Sequence, residues 1–398
     1  MLEREKKVQE NTMQKLITVM LGLLFSTITH GQTLVPLPEH PSGLPWPTAT
    51  WSNSELANDV DKAALDSAIA NLFAVKQDNG VPDTRAVLII KSGQIVHEQY
   101  AEGFSKDSRF HSWSAAKSFT NALIGVLANQ GKLDLDQQAP IPAWQDDERS
   151  QITVRHMLNM TSGMDNSDSA DGGFLGEALY GRGALDVNQI AANRPLISEP
   201  NSEWAYSTAT SNLLAFVAGN IMGDDRDSRQ AYVNQHLLSP IGADDIIMSY
   251  DKAGYFLGGS QVYATARDYA RLGYLYLRDG VWDGQRILPE GWVDFSRTRA
   301  PAANNGNHAA HFWLNVKGKG WQPGMLPGGP ESAFVIAGNG GQYVYILPSH
   351  DMLLVRLGEW QVFSRTDLVK SLAAVVAAFP PQKETTESEI ETENESAE

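Results

Sequence analysis

The sequence predicts an α+β (α/β) fold: a mostly antiparallel β-sheet flanked by terminal helices, with a mainly helical region inserted between its strands. Three observations point to it. Residues 86–90, continuously apolar, and 94–100 read as two strands, and Lys91-Ser92-Gly93 between them is a hairpin signature. Three further strand-like runs, 334–336, 343–347 and 352–357, close the chain and can pair antiparallel. Between about 113 and 325 the apolar spacing is that of helices.

Taken in order, residues 1–31 read as a secretory signal, initiated at Met1 or Met13. Lys15 precedes an apolar run from Leu16 to Phe25, and small residues Thr29 and Gly31 follow at a cleavage position. The run is shorter than the roughly 20 residues a membrane span needs. The mature chain would begin near Gln32 and act outside the cytoplasm, in the periplasm, with no stable membrane insertion. Residues 32–54 hold five prolines between Pro36 and Pro47 and form an extended lead-in. The main domain covers 55–380. Its first helix is expected over 59–76, with Val60, Ala64, Ala68 and Leu72 on the buried face and Gly80 and Pro82 as the stop. The strand pair follows.

Residues 111–127, His-Ser-Trp-Ser-Ala-Ala-Lys-Ser-Phe-Thr-Asn-Ala-Leu-Ile-Gly-Val-Leu, open a buried helix that runs to Gln130 and is capped by Gly131. Phe119, Leu123, Val126 and Leu127 recur at helical spacing, so Ser114 and Lys117 stand one turn apart. Such a placement sets a hydroxyl beside an amine. Amides of a first helical turn have no intrahelical acceptor, and a lysine drawn out of water titrates lower, so the amine can act as base toward the hydroxyl. Ser-x-x-Lys is a weak pattern alone, and Ser249-Tyr-Asp-Lys252 also matches it. Only the first match opens a helix with an apolar face; glycines at 254 and 258 follow the second.

Further on, Thr153 can cap a short helix that buries Val154, Met157 and Leu158, with His156 more suited to a packing role than to that of a base. Residues 164–200 read as a loop region, and Tyr180 within it is a candidate for substrate contact. A loop from Glu203 feeds a helix with Leu213, Leu214, Phe216 and Val217 inside. Tyr206 stands at its entry, either reaching a neighbouring site or plugging the core. Thr265 and Asp268 form a capping-box pair for a helix ending at Leu277. Glycines in Gly338-Asn-Gly-Gly-Gln342 permit close approach of backbone to a ligand. A last helix, 367–379, ends before Pro380-Pro381, and the acidic tail 381–398 is expected to be disordered.

The formal net charge is −16, with 42% hydrophobic and 20% charged residues, a balance ordinary for an enzyme and unsuited to a nucleic-acid partner. No cysteine is present, which removes thiol nucleophiles, thiolate metal sites and disulfides. Nine scattered histidines suggest no metal site. Neither a Gly-x-Ser-x-Gly elbow nor a His-Glu-x-x-His helix occurs.

In their order, Ser114-Ala-Ala-Lys117, Ile152-Thr-Val-Arg-His-Met-Leu with Thr-Ser-Gly163, Tyr206-Ser-Thr208 and Gly338 to Pro348 resemble the serine β-lactamase and penicillin-binding-protein superfamily. The similarity spans about residues 55 to 379 and is greatest toward the class C-like branch and its 6-aminohexanoate-dimer hydrolases. The resemblance implies that Ser114 is acylated, that Lys117 and Tyr206 relay protons, and that an oxyanion lies between the amide of Ser114 and the edge strand at Gly338 and Asn339. It also implies a small-molecule amide or ester substrate and no metal or organic cofactor. Two positions depart from the family pattern. Thr208 stands where an asparagine is usual, and Ile336-Ala337-Gly338 lacks the Lys or His of the third motif. The missing cation would hold a penicillin carboxylate, so the expectation is an amide or ester hydrolase. The alternatives are a penicillin-binding or sensor-type protein with little turnover, or a weak β-lactamase.

Overall fold

The computed structural model describes residues 34–165, 186–300, 306–316, 324–362 and 364–382, together with positions 179 and 302. The leader, Tyr180 and all but the first two residues of the acidic tail lie outside them. From Val35 onward the described chain forms one unit.

Six strands make the central sheet: β1 (Thr84–Lys91), β2 (Gln94–Tyr100), β3 (Trp313–Leu314), β4 (Phe334–Gly338), β5 (Gln342–Leu347) and β6 (Met352–Gly358). Their spatial order is β2-β1-β6-β5-β4-β3, and every neighbouring pair is antiparallel. The hairpin between β1 and β2 turns at Ser92 and Gly93, both with positive φ. Because side chains alternate across a strand, each central strand feeds two cores. Leu88, Ile90, Val344, Ile346, Leu353 and Val355 face the helical region, whereas Val87, Ile89, Tyr345 and Leu354 face the terminal helices.

Those terminal helices are α1 (Lys62–Ala74) and, at the other end of the chain, α6 (Arg365–Ala377). Asp61 accepts a hydrogen bond from the Ala64 amide at 3.0 Å and so starts α1 three residues later than the spacing suggested. The buried face is accordingly Leu65, Ala68, Ile69 and Leu72, with Ala64 exposed and Val60 only half-buried. At the far end Ser364 caps α6 and draws its start back to Arg365. The opposite face of the sheet carries α5 (Ala266–Leu277), where a Cβ on Gly273 would come within 2.8 Å of Val344. Ahead of α5 in the chain come α2 (Ala116–Asn129), α3 (Val154–Leu158) and α4 (Thr208–Met222).

The inserted region is not wholly helical. Phe110–His111, Val262–Ala264 and Ile247–Met248 pair into a small sheet, and β3 returns from the insertion to the edge of the main one. Strands of two or three residues leave too little alternation for a sequence pattern to detect. Phe216 on α4 is half-buried rather than inside. The proline-rich lead-in is fastened by arginines that donate to its carbonyls, Arg271 to Pro47, Arg278 to Pro38 and Arg297 to Val35, at 3.0, 2.9 and 2.7 Å.

Candidate active site

Ser114 lies in the short 3-10 turn Trp113–Ala115 immediately before α2. Trp113 holds φ +48°, a conformation that side-chain sterics disfavour for a bulky residue. Its surroundings fix it. The His111 ring sits 4.4 Å from the Trp113 ring and stacks 4.8 Å from Tyr263, and the Ser112 hydroxyl donates to the Trp113 carbonyl at 3.0 Å while accepting from the Val262 amide at 3.0 Å.

One turn on, Lys117 is only 2% exposed. Its Nζ is 3.4 Å from Ser114 Oγ, 3.1 Å from Thr208 Oγ1 and 2.7 Å from the Gly259 carbonyl, and it stands 4.8 Å over the Tyr206 ring. The remaining polar residues of α2 are buried with partners: Ser118 donates to the His311 carbonyl, Thr120 to that of Gly258, and Asn121 to that of Ala310. This arrangement pins α2 from several sides, so the Ser114 turn is supported on rigid structure.

Tyr206 and Thr208 arrive on the entry to α4. Ser207 caps that helix by accepting from the Thr210 amide at 2.9 Å, which leaves Tyr206 in the extended segment just outside. The Ala205 amide donates to the Met160 carbonyl at 2.9 Å, so the chain beyond α3 holds this segment in place. His156 serves α3 itself: its Nδ1 accepts from the Thr153 amide at 3.3 Å and completes a capping box. Burial lowers its pKa.

On the other side, β4 ends at Gly338 directly against the serine turn. A Cβ there would fall 2.0 Å from the Ser112 carbonyl, so no larger residue fits without displacing the strand. The following turn, Asn339–Gly341, is clamped from beneath by Arg356, which donates to the carbonyls of Gly340 and Gly341 at 2.8 and 3.0 Å. Desolvation lowers the Arg356 pKa to about 10. That still leaves it charged at neutral pH.

Ser114, Tyr206, Ala337, Gly338 and Asn339 line one cavity of about 410 Å³. Its other walls are Trp204, Trp313, Trp360, Tyr343 and Met325, so among the described residues no charged side chain lines it. The structure thus brings together Ser114, Lys117, Tyr206, Gly338 and Asn339; Tyr180 lies outside the described residues. The aromatic walls were missed by sequence reasoning. Their only signal is that Trp204 stands two residues before Tyr206, without any spacing of its own. Gly259 was missed too, although it follows the Ser249-x-x-Lys252 stretch that was set aside.

Two further histidines stand behind the site. His308 packs edge-on to the Tyr206 and Trp313 rings, and burial, aided by the charge of Lys117, brings its pKa down to about 3. His311 is lowered well below its ordinary value, chiefly by burial, with His308 and Lys117 nearby acting in the same direction. Both are therefore neutral at physiological pH. No group of three His, Asp or Glu among the described residues could hold a metal ion.

The arrangement can activate a hydroxyl: a nucleophile on a rigid turn, an amine one helical turn away, a phenol at the same cavity and backbone amides at its floor. Comparison with known proteins agrees in fold. The Beta-lactamase family profile matches residues 69–377. A 6-aminohexanoate-dimer hydrolase of Paenarthrobacter ureafaciens is 25% identical over 341 residues, which cover 79% of this chain and 82% of that one. Among solved structures, a Bacillus anthracis protein provisionally named as a 6-aminohexanoate-dimer hydrolase superposes with TM-score 0.62 at 19% identity, covering 90% of this chain and 93% of its own. A family VIII carboxylesterase superposes with TM-score 0.61 at 15% identity over 82% of this chain and 99% of its own.

Proposed function

We propose, from the premise that this chain belongs to the Beta-lactamase family and is a serine hydrolase, that it cleaves small amide or ester bonds through an acyl-enzyme on Ser114. The observation that carries this reading is the three-way contact of Lys117. A neutral amine there can donate to the Gly259 carbonyl and Thr208 hydroxyl and turn its lone pair to Ser114, at distances of 2.7, 3.1 and 3.4 Å. The last is long for a hydrogen bond, as contacts of this kind often are before substrate binds.

In the reaction, the Ser114 hydroxyl proton passes to Lys117 as the oxygen attacks the substrate carbonyl carbon. The amides of Ser114 and Asn339 receive the oxyanion. Collapse breaks the bond to the amine or alcohol, which takes a proton through Tyr206. Water then adds to the acyl-enzyme by the same relay in reverse, releasing the acid and restoring Ser114.

A cavity walled by aromatic rings and without a lining charge supports an acyl group that is apolar and uncharged. Among its described lining residues no cation is present to hold a carboxylate, which disfavours the penicillin-binding and weak β-lactamase readings. The likeness to an amide hydrolase and a carboxylesterase supports the amide or ester choice. The apolar run from Leu16 to Phe25 supports export, which N-terminal sequencing of the protein from an extracytoplasmic fraction would check. In the described residues no helix is long and apolar enough to cross a membrane.

The test is incubation with a fluorophosphonate, read by intact mass, alongside steady-state hydrolysis of p-nitrophenyl esters and linear amides. One adduct on Ser114, with turnover, is expected. An unlabelled wild type, or undiminished turnover in Ser114→Ala, overturns the assignment, and a single stoichiometric acylation without steady state favours a sensor.

A further inference from the structure

One buried imidazole outside the reacting groups joins the two helices that supply them. His311 Nδ1 is 3.0 Å from the main-chain carbonyl of Lys117 on α2, and its Nε2 is 3.2 Å from Ser211 Oγ on α4. A carbonyl only accepts, so Nδ1 carries the proton; the neutral ring then accepts from Ser211 at Nε2. Ser211 Oγ is also 3.1 Å from the carbonyl of Ser207, the cap of α4; both partners accept, so its single proton serves one of them at a time. The connection therefore runs from the backbone of Lys117 to Ser211 in the first turn of α4, the helix whose entry presents Tyr206 and Thr208.

Nothing else about His311 looks like filler. It takes φ +62°, a conformation uncommon outside glycine though less so for histidine, and its own carbonyl accepts from Ser118 on α2 at 2.8 Å. Two residues later, Trp313 walls the cavity. The titratable groups that face it are Lys117 from α2 and His308 from its own loop; α4 contributes Ser211.

We infer that His311 is a positioning residue, whose bridge between α2 and α4 sets the separation of Lys117 from Thr208 and Tyr206 and with it the rate at which Ser114 is activated. It touches neither substrate nor the reacting oxygen. The inference rests on the reading of Lys117 as base.

Two small changes test the bridge from its two ends. His311→Asn retains a donor for the Lys117 carbonyl and tolerates positive φ, but is too short to reach Ser211. Ser211→Ala removes one hydroxyl and leaves the imidazole. In each, the rate of phosphonylation by a fluorophosphonate and kcat for a p-nitrophenyl ester are expected to fall about 10- to 100-fold, with KM within about twofold, as for a misplacement near 1 Å. The double variant should be no slower than the slower single, because both break the same connection. Unchanged phosphonylation and kcat with only a lower melting temperature would reduce His311 to packing, and multiplicative losses in the double variant would deny a single bridge. Should His311→Asn fail to fold, Ser211→Ala alone decides. A wild type that does not phosphonylate at all defeats the acyl-enzyme reading itself, so the two failures are distinguishable.

Discussion

Two stretches of this chain carry Ser-x-x-Lys, and only one of them lies at the candidate site. At Ser114 the residues span a 3-10 turn and the first turn of α2, so both side chains project to one side, and Lys117 is 2% exposed. At Ser249 the chain is extended and folds back through a turn, with a bridge between Tyr250 and Phe256 and Lys252 exposed at the tip. The spacing is identical and the outcome opposite. What separates them is what each lysine meets: Lys117 meets segments from 91 and 142 residues away, while Lys252 meets solvent. The rejected stretch nonetheless runs on into Gly258 and Gly259, whose carbonyls receive Thr120 and Lys117. A poor motif thus leads into part of the candidate site.

Substitutions should widen this contrast in graded steps. Ser114→Ala is expected to lower kcat by about three to six orders of magnitude, against less than twofold for Ser249→Ala, in steady-state ester hydrolysis. Equal losses would erase the distinction between the stretches. Gly338→Ala, which forces a methyl against the Ser112 carbonyl, should cost about 10²- to 10³-fold in kcat by moving an oxyanion donor. Retention of full activity would show that the edge strand does not serve the oxyanion. Thr208→Ala removes one of the three contacts of Lys117 and should slow phosphonylation by roughly tenfold, that is, by about the net worth of one hydrogen bond. Lys252→Ala should leave both rate and melting temperature unaltered.

Acid provides a contrast in stability rather than rate. His308 has a folded pKa of about 3, below its ordinary 6.5, so below pH 6.5 the unfolded chain takes up a proton that the folded protein refuses. Stability is full above that pH and falls as the pH drops toward 3. Between pH 7.5 and 5.0 this imidazole alone should remove about 2 kcal/mol, readable from urea midpoints. A flat profile over that interval would show that His308 is not held neutral.

Much of the fold was legible because it rests on local rules. The β1–β2 hairpin, the Thr153 cap, the Thr265 capping box and the strand character of β4 to β6 all follow from turn chemistry, caps and short apolar runs bounded by turn residues. Errors arose where a cap competed with periodicity, as at Asp61, or where an element was too short to show a period, as in β3. Of the site, Ser114, Lys117 and Tyr206 could be picked out from motif order, and Gly338 from its glycine-rich turn. Trp204, Trp313 and Trp360 could not. An aromatic wall has no spacing signature, because its rings come from segments whose meeting depends on how the sheet edge and the helices pack.

By itself the sequence determined that a serine and a lysine share one helical turn, since 3.6-residue periodicity is enforced by hydrogen bonds between near neighbours. It also determined which longer runs become strands and where α3 and α5 are capped. Tertiary packing alone decided that Lys117 would be enclosed by Thr208 and Gly259, that His311 would span two helices, and that the serine would open onto a chamber of indoles and phenols. Those contacts depend on long-range burial of apolar faces, which brings distant segments together without leaving any mark on the spacing within each.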